Sequence, residues 1–254
     1  RVILSLGAQN AIDYVSRFGF DISNFPVNVQ LAFGGGTIAL TPLEVATGYA
    51  AFANGGYKVE PYLISKIESI NSDVLYTSTP PTACNPECTE NQVSAKRIIE
   101  PRVAYIMDSI LQDVMRKGTG TKATRALKRR DLRGKTGTTN DADIWFSGYT
   151  PDLVATTWAG YDNNSSVGSR EFGSTTPIES WIEFMKVALP AEANSSMLPQ
   201  PNGLVTVRID PITGLRAAQN DTDAIFEIFR EEYAPAPALA KKEDEEKNTL
   251  QQIF

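Results

Sequence analysis

Between positions 133 and 140 the chain reads Arg-Gly-Lys-Thr-Gly-Thr-Thr-Asn, so that one ammonium and three hydroxyls crowd around Gly137. If the run is a strand, its period of two places Lys135 and Gly137 on one face and Thr136 and Thr138 on the other. Gly137 has no side chain, which lets a ligand lie close to the backbone. At a sheet edge, the free N–H and C=O groups would pair with an extended substrate. The ammonium and the hydroxyls would then hold a carboxylate. Two plainer readings compete. Gly134-Lys135-Thr136 imitates the end of a phosphate-binding loop, but that motif needs a glycine five residues before Gly134, and Arg129 stands there. The other is a solvated strand whose residues spell this run without using it.

Composition narrows the chemistry. The 254 residues contain no histidine, which excludes Ser-His-Asp and Cys-His catalysis and removes the commonest metal ligand. Any catalytic base here is Lys, Asp, Glu or Tyr. With 24 basic and 30 acidic side chains the net charge is −6, so no broad cationic surface for nucleic acid is expected. The two cysteines, Cys84 and Cys88, are too few for a zinc site without histidine. A local disulfide in an oxidising compartment is the favoured reading, and a pair of free surface thiols the alternative. A hydrophobic content of 42% is that of an ordinary globular core, and no apolar run nears the roughly 20 residues of a membrane span.

The elements that must position the Lys135 run follow from periodicity. Ala8, Ala11, Ile12, Val15 and Phe18 recur at helical spacing until Gly19. Thr41-Pro42-Leu43-Glu44 is a capping box with proline at the first helical position, and it opens a helix over Pro42–Ala53. Gly34 to Gly36, just before it, read as packing and turn chemistry. Tyr57 to Ser69 and Val74 to Tyr76 form a hairpin, followed by an insertion loop from Thr79 to Glu90. Pro101 begins a long amphipathic helix that ends at Gly118. The Gly118-Thr119-Gly120 loop and the basic run Lys128-Arg129-Arg130, read as solvated, then lead to the Lys135 strand. Ile144 to Thr150 and Leu153 to Tyr161 complete a three-stranded antiparallel meander, and the helix Trp181–Leu189 closes over it. A small hairpin pairs Leu204–Ile209 with Leu215–Ala217, and the remainder is an acidic, proline-containing tail.

Lys-Thr-Gly is the third signature of serine penicillin-binding proteins and β-lactamases, after Ser-x-x-Lys and Ser-x-Asn. Here it stands between Gly118-Thr119-Gly120-Thr121-Lys122-Ala123 and the segments Asp143-Ile144-Trp145-Phe146-Ser147-Gly148-Tyr149 and Trp158-Ala159-Gly160-Tyr161-Asp162. In that order the chain, over residues 1–216, resembles the second half of the transpeptidase domain of class A, bifunctional penicillin-binding proteins. The resemblance implies an α/β fold of the penicillin-binding and β-lactamase type, an antiparallel sheet flanked by helices on both faces. It gives a partial domain over residues 1–217 and a tail over 218–254.

Carried over by residue, Lys135 would stabilise anionic charge and assist proton transfer. Thr136 and Thr138, with Gly137 and Thr139, would bind the terminal D-alanine carboxylate or that of a β-lactam. The Thr138 N–H would be one oxyanion donor. The implied reaction is serine acyl transfer between peptidoglycan stem peptides, with no cofactor and no metal, at the periplasmic face of the bacterial inner membrane.

The sequence also departs from the family. No lysine has a serine three residues before it, and Ser69-Ile70-Asn71, on a hairpin turn, is rejected as the Ser-x-Asn motif. The nucleophile is therefore expected in an upstream half of the same protein, together with a glycosyltransferase domain and the N-terminal membrane anchor. Alone, the chain is expected to be inactive. A serine β-lactamase or D-alanyl carboxypeptidase fragment, and a non-catalytic periplasmic binding module, are the competing functions.

Overall fold

The computed structural model describes residues 1–34, 37–84, 88–139, 142–190 and 198–236. The chain separates into two units, residues 1–199 and 200–254. In the first unit the chain forms helices α1 (Val2–Leu6), α2 (Ala8–Val15) and α3 (Pro42–Ala53), then the short strands β1 (Lys66–Glu68) and β2 (Val74–Thr77). Helices α4 (Pro101–Arg116) and α5 (Thr121–Leu127) lead to strands β3 (Arg133–Thr139), β4 (Asp143–Tyr149) and β5 (Val154–Gly160), and α6 (Thr176–Ala188) follows.

The β3-β4-β5 meander is antiparallel throughout, with Arg133 opposite Tyr149, Lys135 opposite Ser147 and Gly137 opposite Trp145. Phe146 and Tyr149 are three positions apart, so their side chains leave β4 on opposite faces. Phe146 packs with Met115 of α4, Ala123 of α5, and Ile178, Trp181, Ile182 and Met185 of α6. Tyr149 packs with Ala53 of α3 and Leu111 of α4. The sheet therefore carries helices on both faces, the expected α/β architecture. Glycine makes the α6 side possible: a Cβ at Gly148 would lie 2.8 Å from both the Arg133 carbonyl oxygen and the Trp181 ring. The space a side chain would fill is taken by the indole.

Helix α3 begins as its sequence dictates. Thr41 Oγ1 accepts from the Glu44 N–H at 3.2 Å, and the Glu44 carboxylate accepts from the Thr41 N–H at 2.8 Å. It ends at Gly55 and Gly56, whose φ values of 83° and 110° few other residues adopt.

Several expectations are corrected. The first strand of the hairpin is only Lys66–Glu68, and Tyr57 makes an isolated bridge to Arg97. Helix α6 starts at Thr176, five residues before Trp181, with Pro177 in its first turn. Helix α5 occupies part of what reads as loop; with seven residues it is too short to show a period. Arg129 is not solvated: it is buried, donates to both Asp131 oxygens at 3.0 and 2.6 Å, and reaches the Pro190 carbonyl at 2.8 Å. The favoured disulfide, by contrast, is present: Cys84 and Cys88 are joined, with Cα atoms 4.9 Å apart.

In the second unit β6 (Leu204–Ile209) pairs antiparallel with β7 (Ile225–Arg230), inside the stretch read as tail. Leu215–Ala217 is not its partner strand and supplies only the bridge from Arg216 to Ile209. Gly35, Gly36, Asn140 and residues 237–254, including the acidic run after Lys241, lie outside the described residues.

Candidate active-site strand

Strand β3 is an edge of its sheet, which leaves one side of its backbone free of strand partners. Its two ends differ. Arg133 is 1% exposed, and its Nε donates to both Asp108 oxygens at 3.0 Å while Nη2 reaches Oδ2 at 2.8 Å. Tyr149 donates its hydroxyl to the same carboxylate at 3.0 Å. Burial first, and then the Asp108 charge, push the Tyr149 hydroxyl far above the ordinary tyrosine range. Nη1 of Arg133 is buried without a hydrogen-bond partner. This cluster ties β3 to α4 and β4 two residues before Lys135. It was not legible in the sequence, because Asp108 and Arg133 stand 25 positions apart on elements of different period.

From Lys135 onward the strand opens. Lys135 is exposed, and its Nζ donates to the Thr136 carbonyl oxygen at 2.7 Å, which holds the ammonium against the strand's own backbone. Thr136 and Thr138 face the opposite way, as alternation requires. The Thr136 hydroxyl shares a hydrogen bond of 2.9 Å with the hydroxyl of Thr119. The Thr138 hydroxyl, on an exposed residue, accepts from the Gly173 N–H at 3.1 Å. Gly137 lies under Trp145: an added Cβ would come 3.1 Å from the Trp145 Cβ. Thr139 ends the ladder opposite Asp143, and its carbonyl accepts from the Ala142 N–H at 3.0 Å.

Two loops approach the hydroxyl face. Thr119 lies between α4 and α5, where Gly120 packs closely: a Cβ there would meet Met115 Sδ at 2.4 Å and the Met115 Cα at 3.3 Å. Gly173 is closer still, since its Cβ would fall 2.2 Å from the Trp145 carbonyl oxygen and 2.7 Å from that of Gly137. The Gly173 loop is fixed by Glu171, whose carboxylate accepts from Thr175 and Thr176 at 2.8 and 2.7 Å. Those hydroxyls, Thr176 first, hold the carboxyl below its ordinary pKa. The sequence contained Thr119 within a quoted motif but no sign of its contact. Gly173 carried no signal at all.

An edge strand with a cation on one face and ordered hydroxyls on the other, anchored by a buried ion pair, is suited to an extended peptide ending in a carboxylate. Residues 3–179 match the family model described as the penicillin-binding protein transpeptidase domain. The chain belongs to this family. It is 42% identical to penicillin-binding protein 1A of Pseudomonas aeruginosa over 92% of the chain and 33% of that protein. It is 37% identical to penicillin-binding protein 1A of Neisseria gonorrhoeae over 97% of the chain and 29% of that protein. Among solved structures, penicillin-binding protein 1A of Haemophilus influenzae superposes with a TM-score of 0.80 at 30% identity, covering 93% of the chain and 38% of that chain. The chain thus spans about a third of the length of the curated relatives it matches.

Proposed function

We propose that this chain supplies the substrate-binding strand of a serine-type D,D-transpeptidase that cross-links peptidoglycan stem peptides and is acylated by β-lactams. The observation that carries the reading is the open β3 edge with Lys135, Thr136 and Thr138 in a chain of the transpeptidase family. The Ser-x-x-Lys serine comes from a part of the protein these 254 residues do not contain. Its Oγ attacks the carbonyl of the penultimate D-alanine, the C–N bond to the last residue breaks, and D-alanine leaves with a proton. An amine of a second stem peptide then attacks the serine ester and releases the serine.

Thr136 and Thr138 receive the terminal carboxylate, with Gly137 and Thr139 shaping the edge beside it. The Lys135 ammonium stabilises developing negative charge, and the Thr138 N–H is one oxyanion donor. The partners are stem peptides, β-lactams and the remaining part of the same protein. The place is the periplasmic side of the cell envelope, which the Cys84–Cys88 disulfide supports because such bridges persist in oxidising compartments.

Lys135→Ala in the full-length protein tests the reading. Charge stabilisation at a reacting centre is worth roughly 10²–10³ in rate. Acylation by fluorescent penicillin should therefore slow by about two to three orders of magnitude. An exposed lysine contributes little to folding, so the melting temperature should stay within a few degrees. Unchanged acylation kinetics would remove β3 from the site.

A further inference from the structure

A hydroxyl carries one proton and two acceptor lone pairs, so what it does for a ligand depends on what its neighbours already give it. A backbone N–H only donates. The Gly173 N–H therefore makes the Thr138 oxygen an acceptor and leaves the Thr138 proton for another acceptor. At Thr136 the neighbour is a second hydroxyl, and either oxygen can donate across the 2.9 Å separation. When Thr136 gives its proton to a ligand, Thr119 must donate to Thr136. When Thr136 donates to Thr119 instead, the face loses one of its two outward protons.

We infer that Thr119 and Gly173 are positioning residues that set the direction of the Thr136 and Thr138 hydroxyls. Together they make the edge of β3 a two-donor site for one carboxylate. This rests on the substrate reading given above and adds two residues that do not touch the substrate. The two outward hydroxyls are two positions apart along a strand, about 7 Å, and share one face. One carboxylate can bridge them by giving an oxygen to each. Gly173 is pressed onto the backbone of Gly137 and Trp145 with no room for a Cβ, which holds its N–H at Thr138, and Thr119 stands in the turn before Gly120. The arrangement also favours a carboxylate over neutral ligands, because each outward donor bonds a charged acceptor far more strongly than an ester or amide oxygen.

The test compares Thr119→Val, which keeps the shape and removes the hydroxyl, with Thr119→Ser, which keeps the hydroxyl. Both are made in the full-length protein and assayed for acylation by benzylpenicillin and by its methyl ester. Thr119→Val should lower acylation efficiency toward benzylpenicillin about five- to tenfold, the usual size of one hydrogen bond. It should leave the ester rate unchanged, so the preference for the free carboxylate shrinks by the same factor. Thr119→Ser should restore it. Thr138→Val, made alongside, tests the site itself and should abolish most of the preference. If Thr138→Val loses the preference and Thr119→Val keeps it, the positioning role is wrong and the substrate reading stands. If Thr119→Val slows both probes equally, the residue is structural and the inference fails. If Thr138→Val also keeps the preference, both readings fall.

Discussion

Two antiparallel ladders in the first unit show opposite relations between sequence and burial. In β4 of the meander, Ile144, Phe146, Ser147, Gly148 and Tyr149 are all buried. In the hairpin, every residue of β1 and β2 is exposed, including Ile67, Val74, Leu75 and Tyr76. Both sequences are rich in β-branched and aromatic residues, and both form strands. Among the described residues only the meander is packed by helices on both faces, α3 on one and α6 on the other. Apolar alternation therefore makes a strand, but burial comes from the helices the rest of the chain delivers to it. The β3 edge shows the same difference within a single strand: Arg133 and Gly134 are buried, while Lys135 and Thr138 are exposed.

The largest break in the comparison is at Phe146. It is fully buried and meets Trp181 edge-on with ring centroids 5.1 Å apart, so Phe146→Ala removes the centre of the α6-side core. A loss of about 3–5 kcal/mol in unfolding free energy is expected from an aromatic deletion of this kind. Chemical denaturation of the variant measures it. A loss under about 1 kcal/mol would show that the core can collapse around the hole.

What the sequence made legible follows the same division. The β3, β4 and β5 strands, α3 and α4 announce themselves through period and caps, since each must bury one face. The Lys135 run is legible as chemistry, and its role rests on the resemblance carried by the segments around it. Arg129 was misread because Lys128-Arg129-Arg130 looks solvated, and its carboxylate partner, Asp131, lies just past the run. Ile225-Phe226-Glu227-Ile228-Phe229 carries a fair signal for β7, masked by the acidic residues on either side of it. The contacts of Thr119 and Gly173 were out of reach. They depend on two loops arriving 17 and 35 residues from their partners, and no local propensity encodes that arrival.

A second, smaller effect sharpens the comparison on the α3 side. Tyr49 stacks obliquely toward Tyr149 with ring centroids 6.5 Å apart, and burial pushes its hydroxyl up to about 12. An exposed tyrosine ionises near pH 10. The folded protein holds this proton more tightly than the unfolded chain, so the contribution is complete below pH 10 and is lost as pH rises toward 12. Over that window the loss amounts to about 2–3 kcal/mol. Tyr49→Phe removes that dependence. The stability of the native protein relative to Tyr49→Phe should therefore fall between pH 10 and pH 12, measured by urea denaturation at each pH. A pH-independent difference would mean that the Tyr49 hydroxyl is reached by solvent.

The smallest effect is expected in the hairpin, and it bears on how the comparison should be read. Leu75 is 67% exposed in β2, opposite no covering helix, and substitutions at such positions usually change stability by no more than about 0.5 kcal/mol. Leu75→Ser should accordingly leave the urea midpoint of the first unit unchanged, where Phe146→Ala shifts it strongly. The Cys84–Cys88 bridge should not alter this outcome, because it closes a loop of few residues outside the hairpin and disulfide stabilisation grows with loop length. Denaturation curves of both variants, recorded on the full-length protein and on residues 1–254 where they fold, decide the matter. A loss above about 1 kcal/mol for Leu75→Ser confined to the full-length protein would mean that another part of that protein covers the hairpin. The contrast between the two ladders would then hold for these residues alone and vanish in the assembled protein.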